Sequence, residues 1–219
     1  MSIQKSISSA LKQNLLPGLI LQCFALALLA TYFFIPAANP IFSYFSDLKH
    51  EFGYAYSGFA TALFGGVIPF IVIWFRNRHS QTHASLSVFV FYIGFWVYRG
   101  IEVDFFYRMQ AVWFGSDHQL NTLLKKVAVD QIIYSPFWAA PSIATAYLWR
   151  ECNFNFTELK RSLNKEFLRV KLPTLIVSSW VVWTPAVSII YAMPNELQIP
   201  IQNLVLCFWA LMLAVLNKK

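Results

Sequence analysis

The sequence predicts an all-α, multi-pass transmembrane bundle of about six spans with one amphipathic interfacial helix, and three observations carry that prediction. Of 219 residues, 58% are hydrophobic and only 12% charged, with a mean hydropathy of +0.52, more apolar surface than a soluble domain of this size can bury. Aromatic residues make up 18% of the chain, led by 21 Phe with 10 Tyr and 8 Trp, which suits an outer surface facing acyl tails with Trp and Tyr at the interfaces. The net charge of +7 is spread in short runs between apolar segments, an arrangement that fits membrane topology and argues against a nucleic-acid face. The whole chain reads as one integral membrane domain, residues 1–219.

Each span needs about 20 apolar residues to cross a core about 30 Å thick. Leu15 to Pro36 qualifies at once. It follows MSIQKSISSALKQN, the outline of a signal peptide, but the apolar run is too long for a signal h-region and reads as a retained first helix. The absence of arginine there also argues against a mitochondrial presequence. Gly58 to Phe75 is a shorter second span, and Leu86 to Tyr107 a third that becomes charged halfway. Val127 to Trp149, Thr174 to Pro194 and Pro200 to Leu216 complete six.

The third span decides the topology, because only its first 13 residues, Leu86 to Tyr98, are uninterrupted, and alone they suggest a re-entrant piece. If all six cross, Lys5, Lys12, Arg76, Arg78, the 150–172 loop, Lys218 and Lys219 share one face with a net charge of about +9, against about zero opposite. If residues 86–107 do not cross, both faces carry about +4. The positive-inside rule therefore favours six spans with both termini on the positive face. The 150–172 loop reads as an amphipathic helix on that face, with Phe156, Leu159, Leu163, Phe167 and Val170 at three- to four-residue spacing and Thr157 as its cap. Its basic face suits anionic lipid.

Small residues at four-residue spacing let helices approach closely in lipid, and the second span has two such rows: Gly58, Ala62, Gly66 and Ser57, Thr61, Gly65. They predict a central second helix. Pro69, Pro136, Pro141 and Pro185 each remove an amide donor within a span; they either shape a cavity or serve packing alone.

Four charges fall inside predicted spans: Arg99, Glu102, Asp104 and Asp130. Each costs about 2.5–3.5 kcal/mol at the bilayer centre on an insertion scale, so four without partners would cost on the order of 10 kcal/mol or more. Pairing or water is therefore expected. Arg99 with Glu102 at i,i+3 and Asp104 with Arg108 at i,i+4 are complementary, yet on one continuous helix they fall on nearly opposite faces. Both can face one cavity only if the helix breaks, and Gly100 is the predicted break; otherwise the second pair anchors the helix in the headgroup zone. In KKVAVDQIIYSPFW, residues 125–138, Lys126, Asp130 and Tyr134 share a helical face. Asp130 has two candidate partners, Lys126 or Arg99, and reads either as a structural pair or as a residue lining a pore or binding a cation. Gln131 sits beside it on another face.

That stretch resembles the Lys…Asp-Gln…Pro element of the Mpv-seventeen and peroxisomal-membrane-protein-twenty-two family of small multi-pass membrane proteins. GFATALFGGVIPFIVIW, from Gly58, is similar to the family's second-helix pattern, and WVVWTPAVSIIYAMP, from Trp180, to its Trp-Pro…Pro element, with Trp209 at the expected spacing after Pro194. Departures are Val67-Ile68-Pro69 where the family has Gly-Pro, Ile189-Ile190 where it has Asn-Phe, and Gln198 where it has arginine. Residues 86–115 are an insertion, making this a six-span branch where the typical member has four. The resemblance implies a weakly selective channel for small solutes or metabolites in a mitochondrial or peroxisomal membrane, a bacterial inner membrane fitting the sequence equally well. It carries over Asp130, Gln131, Pro136, Trp183 and Pro194 as pore-lining or helix-packing positions, and no catalytic residue or cofactor.

Enzyme signatures are missing from the sequence. HExxH, GxSxG and P-loop patterns do not occur, and HSQTH, with His79 and His83, is too little for a di-iron desaturase site because the chain has only four His. Three Cys without a CxxC pattern imply neither a disulfide framework nor zinc. The expectation is a channel or passive transporter whose pathway runs between spans two, three and four, its electrostatics set by Arg99, Glu102 and Asp130; the alternatives are a non-conducting assembly protein and, behind it, a membrane-embedded enzyme. Its partners are the bilayer and a small solute or ion, no nucleic acid, with a homo-oligomer left open.

Overall fold

In the computed structural model, which describes residues 3–77, 85–117 and 119–216 (the side chains of Asn77 and residues 214–216 apart), the described chain is all helix and turn. Seven helices follow one another: α1 (Ile3–Phe34), α2 (39–77), α3 (Leu86–Phe114), α4 (120–151), α5 (Phe156–Ser162), α6 (Phe167–Tyr191) and α7 (Asn195–Leu216). Five of these stretches, α1, Pro36–Arg76 containing α2, α3, α6 and α7, are long and apolar enough to cross a membrane. The architecture is that of a multi-pass helical membrane protein. Arg78, His79, His83, His118, Lys218 and Lys219 lie outside the described residues.

The expected spans are too short at most ends. The second begins at residue 39 rather than 58, because Asn39 and Pro40 start a helix immediately after the 3-10 turn Pro36–Ala38. That helix kinks at Gly53, where φ of +52° and ψ of −122° suit glycine alone without strain. The third span is one unbroken helix of 29 residues, about 43 Å at 1.5 Å per residue, which replaces the re-entrant alternative. The fourth, α4, is long enough to span but falls short in apolarity, because Asp130, Gln131, Ser135, Pro136 and Pro141 dilute its middle. Its residues Val129–Ala139 widen into π-helix around Pro136, which has no amide hydrogen to donate.

The expected amphipathic helix over 150–172 is instead two pieces. Short α5 ends at Ser162, and the Asn164 side chain accepts a hydrogen bond from the Phe167 amide (3.0 Å) to start α6 seven residues earlier than expected. The α5 cap is Asn155, not Thr157: the Asn155 side chain accepts from the amides of Thr157 (2.9 Å) and Glu158 (3.2 Å). Removing it in Asn155→Ala is expected to cost about 1 kcal/mol in unfolding free energy, read as a small shift of the thermal midpoint in detergent, while Thr157→Ala leaves the midpoint unchanged.

The small-residue rows of α2 behave as their spacing predicts. Gly58 meets Val97 and Ile101 of α3, and Gly65 lies against Trp96 of α3 and Leu206 of α7, with Gly66 beside Trp96 and Ala62 buried between them. A methyl at Gly65 would come within 3 Å of both neighbours, so α2 sits as deep as its glycines allow. On the other side α1 packs along α6, burying Leu21 and Ala25 against Val182, Ala186 and Ile190. The α6–α7 turn forms around Pro194, whose carbonyl accepts from the Leu197 amide, and buried Gln198 closes it by donating to the Met193 carbonyl.

Candidate functional site

α3 does not break at Gly100, so its two charge pairs point to two different places. Gly100 instead marks the closest approach of α3 to α2: a methyl there would lie 2.1 Å from the Ser57 carbonyl oxygen. The expectation of a break at Gly100 is therefore replaced by a helix crossing that has no room for a side chain.

Arg99 of the first pair lines a cavity of about 890 Å³ walled by α2, α3, α4, α6 and α7. One stripe of α3 follows its length, Val88, Tyr92, Trp96, Arg99, Val103 and Tyr107, which spans about 28 Å of helix. At one end stand Ser85, Trp74 and Arg150, of which Ser85 and Trp74 are exposed; at the other, buried Tyr107, Asp130 and Gln131 close it. The space is thus a blind vestibule with a polar floor. Pro69 and Trp183 belong to its wall, while Pro136, Pro185 and Pro194 lie outside it.

At the floor Arg99 forms its expected ion pair with Glu102, and Tyr134 joins both: its hydroxyl donates to Glu102 and accepts from the Arg99 guanidinium (3.2 Å). Arg99 is 5% exposed and its Nε has no partner among the described residues. Asp130 pairs with neither of its expected cations. One carboxylate oxygen accepts from the Gln131 amide (2.7 Å) and the other from the Tyr191 hydroxyl (2.8 Å), and among the described residues no Lys, Arg or His nitrogen lies within 4.0 Å. Lys126 turns instead toward the Tyr191 ring, 6.0 Å from its centroid.

The network then spreads over three helices. Tyr191 of α6 accepts from Gln110 of α3, and Gln131 of α4 accepts from Thr184 (3.1 Å) and, through its carbonyl, from Trp180 (2.6 Å). Tyr191, Gln110, Trp180 and Thr184 were not predicted as site residues. Trp180, Thr184 and Tyr191 all stand inside WVVWTPAVSIIYAMP, where their spacing of four and seven residues puts them on one helical face. Gln110, a lone amide in an aromatic stretch of α3, is the one signal a polar-in-apolar search would have found.

The second pair faces α2, away from the cavity. Asp104 accepts from Arg108 (3.1 Å), from the buried Lys49 ammonium (3.0 Å) and from the Ser57 hydroxyl (2.7 Å), and the Arg108 guanidinium covers the Tyr54 ring at 4.7 Å. The expected headgroup anchor is thus a packed cluster, with Asp104 only 3% exposed. Lys49 stands four residues before the Gly53 kink, and helical periodicity does not reveal its contact with Asp104. Compared with known proteins, the chain is matched by no family model, no curated protein and no solved structure.

Proposed function

We propose that the protein is a channel or passive transporter for small solutes. The observation that carries this reading is the 890 Å³ vestibule that runs among five helices to a buried carboxylate without an ion partner among the described residues. Such a group in a membrane segment is costly to keep and is most often retained for a solute or ion pathway. The likeness of KKVAVDQIIYSPFW to the Mpv-seventeen family element points the same way, since it falls on the floor of this cavity. In this reading α4 is a sixth span, its polar middle tolerated because it faces the cavity and not lipid. Both termini and the mouth at Arg150 then lie on the positive-inside face of a bacterial inner membrane or an organelle membrane. Passage requires the floor to part, and the Tyr191 hydroxyl, which ties α6 to α3 and α4, is the contact that must release.

A non-conducting scaffold is the second reading, favoured by the Lys49–Asp104–Arg108 cluster, which holds α2 to α3 without touching the cavity. Reconstitution in planar bilayers separates the two. The channel reading expects conductance whose cation-to-anion permeability ratio falls in Asp130→Asn, because the variant removes one negative charge from the pathway. Silent bilayers from protein shown to be folded by its melting curve would leave the scaffold.

A further inference from the structure

Among the described residues, three charged side chains line the cavity: Arg99, Asp130 and Arg150. Arg99 is matched by Glu102, and Arg150 stands at the mouth beside Glu151 in sequence. Asp130, at the blind end, is held only by an amide and a hydroxyl, one on each oxygen, which leaves acceptor capacity on both. Lys126, one turn earlier, is outside the lining. Between mouth and floor the walls are mostly apolar and carry the rings of Tyr92, Trp96, Tyr147, Trp183 and Trp209, with Trp74 at the mouth.

A buried carboxylate that faces a cavity and has no ion-pair partner within 4.0 Å among the described residues is completed by a cation brought by the ligand. Aromatic faces attract cations through their quadrupoles and pack against apolar bodies. The volume lies in the range of pockets for organic molecules, about 300–1,000 Å³, far more than a bare ion fills. We infer that the cavity binds an organic cation, an ammonium or quaternary onium group on an apolar body, with its charge against Asp130 and its body among the tryptophans. The inference rests on reading the cavity as a solute site and adds the class of solute.

The test uses the full chain in lipid nanodiscs and equilibrium dialysis with radiolabelled tetraphenylphosphonium or tetraphenylborate, which have nearly the same shape and opposite charge. Empty nanodiscs give the lipid partition to subtract. The expected result is saturable phosphonium binding to the wild type, weakened by about tenfold or more in Asp130→Asn, and no saturable borate binding. Ile143→Trp, which fills the cavity wall without altering a charge, is expected to abolish phosphonium binding as well, and it decides the matter if Asp130→Asn does not fold. Preferential borate binding, absence of saturable phosphonium binding, or phosphonium binding unchanged in either folded variant overturns the inference. Conductance without phosphonium binding sinks this inference and leaves the channel reading intact; phosphonium binding in a protein that conducts nothing does the reverse.

Discussion

Gly100→Ala is expected to destabilise the fold by about 3 kcal/mol, the upper end of the usual range for forcing a methyl into a packed interior. The added carbon would stand 2.1 Å from the Ser57 carbonyl oxygen, 2.6 Å from the Thr61 hydroxyl and 2.7 Å from the Thr61 Cβ. A side chain could rotate away, but a backbone oxygen cannot, so α2 itself must shift. That shift strains the Ser57 bond to Asp104 and the Thr61 bond to Asn203 (2.8 Å), which link α2 to α3 and α7. Gly94, on the same helix, has nothing within 4 Å of the corresponding position and serves as the control. Unfolding in mixed micelles titrated with dodecyl sulfate should separate Gly100→Ala from Gly94→Ala, the latter neutral or slightly stabilising because alanine restricts the unfolded chain. Equal midpoints for the two variants would refute the close crossing of α2 and α3.

The second large effect is expected for Asp104→Asn, a loss of about 3–5 kcal/mol, because it leaves the Lys49 ammonium buried without a counter-charge. Arg108, with half its side chain exposed, can turn to water, whereas Lys49 at 2% exposure has no such outlet. The penalty therefore belongs to the stranded lysine rather than to the lost pair. Combining Lys49→Met with Asp104→Asn removes the stranded charge, and the double variant is expected to regain most of the stability. The measurement is the same unfolding midpoint in a double-mutant cycle. A neutral Asp104→Asn, or a double variant no more stable than the single, would show that the cluster does not hold α2 to α3.

The two clusters divide the intramembrane charges between them, and this division was half legible in sequence. The i,i+3 and i,i+4 spacings identified Arg99 with Glu102 and Asp104 with Arg108, since partners so close in one helix depend on local geometry alone. The same geometry required two destinations for an unbroken helix, and α3 is unbroken. What the spacing could not supply was the third member of each group. Tyr134 is 35 residues from Arg99, and Lys49 is 55 residues from Asp104, so both contacts exist only after helices have packed.

Asp130 shows the same limit from the other side. Lys126, four residues earlier, is the natural partner on a regular helix, but the chain widens into a π-helix from Val129 onward, and Lys126 ends against the Tyr191 ring. Asp130 is left to Gln131 and Tyr191.

By itself the sequence determined the class of the protein, the order of its apolar helices and the small-residue face that makes α2 central, because hydropathy, length and four-residue spacing act within single segments. It missed the helix ends at 39, 120 and 167, where Asn39-Pro40, the lysine-bearing first turns of α4 and the Asn164 side chain extend helices beyond their apolar runs. Only the tertiary structure decided that Asp130 meets no cation within 4.0 Å among the described residues, that Gly100 is a crossing point and that a cavity with tryptophans in its wall ends at that carboxylate. Each depends on which helices meet, and lipid, as apolar as the segments it surrounds, gives no segment a preferred neighbour until small residues and polar side chains select one.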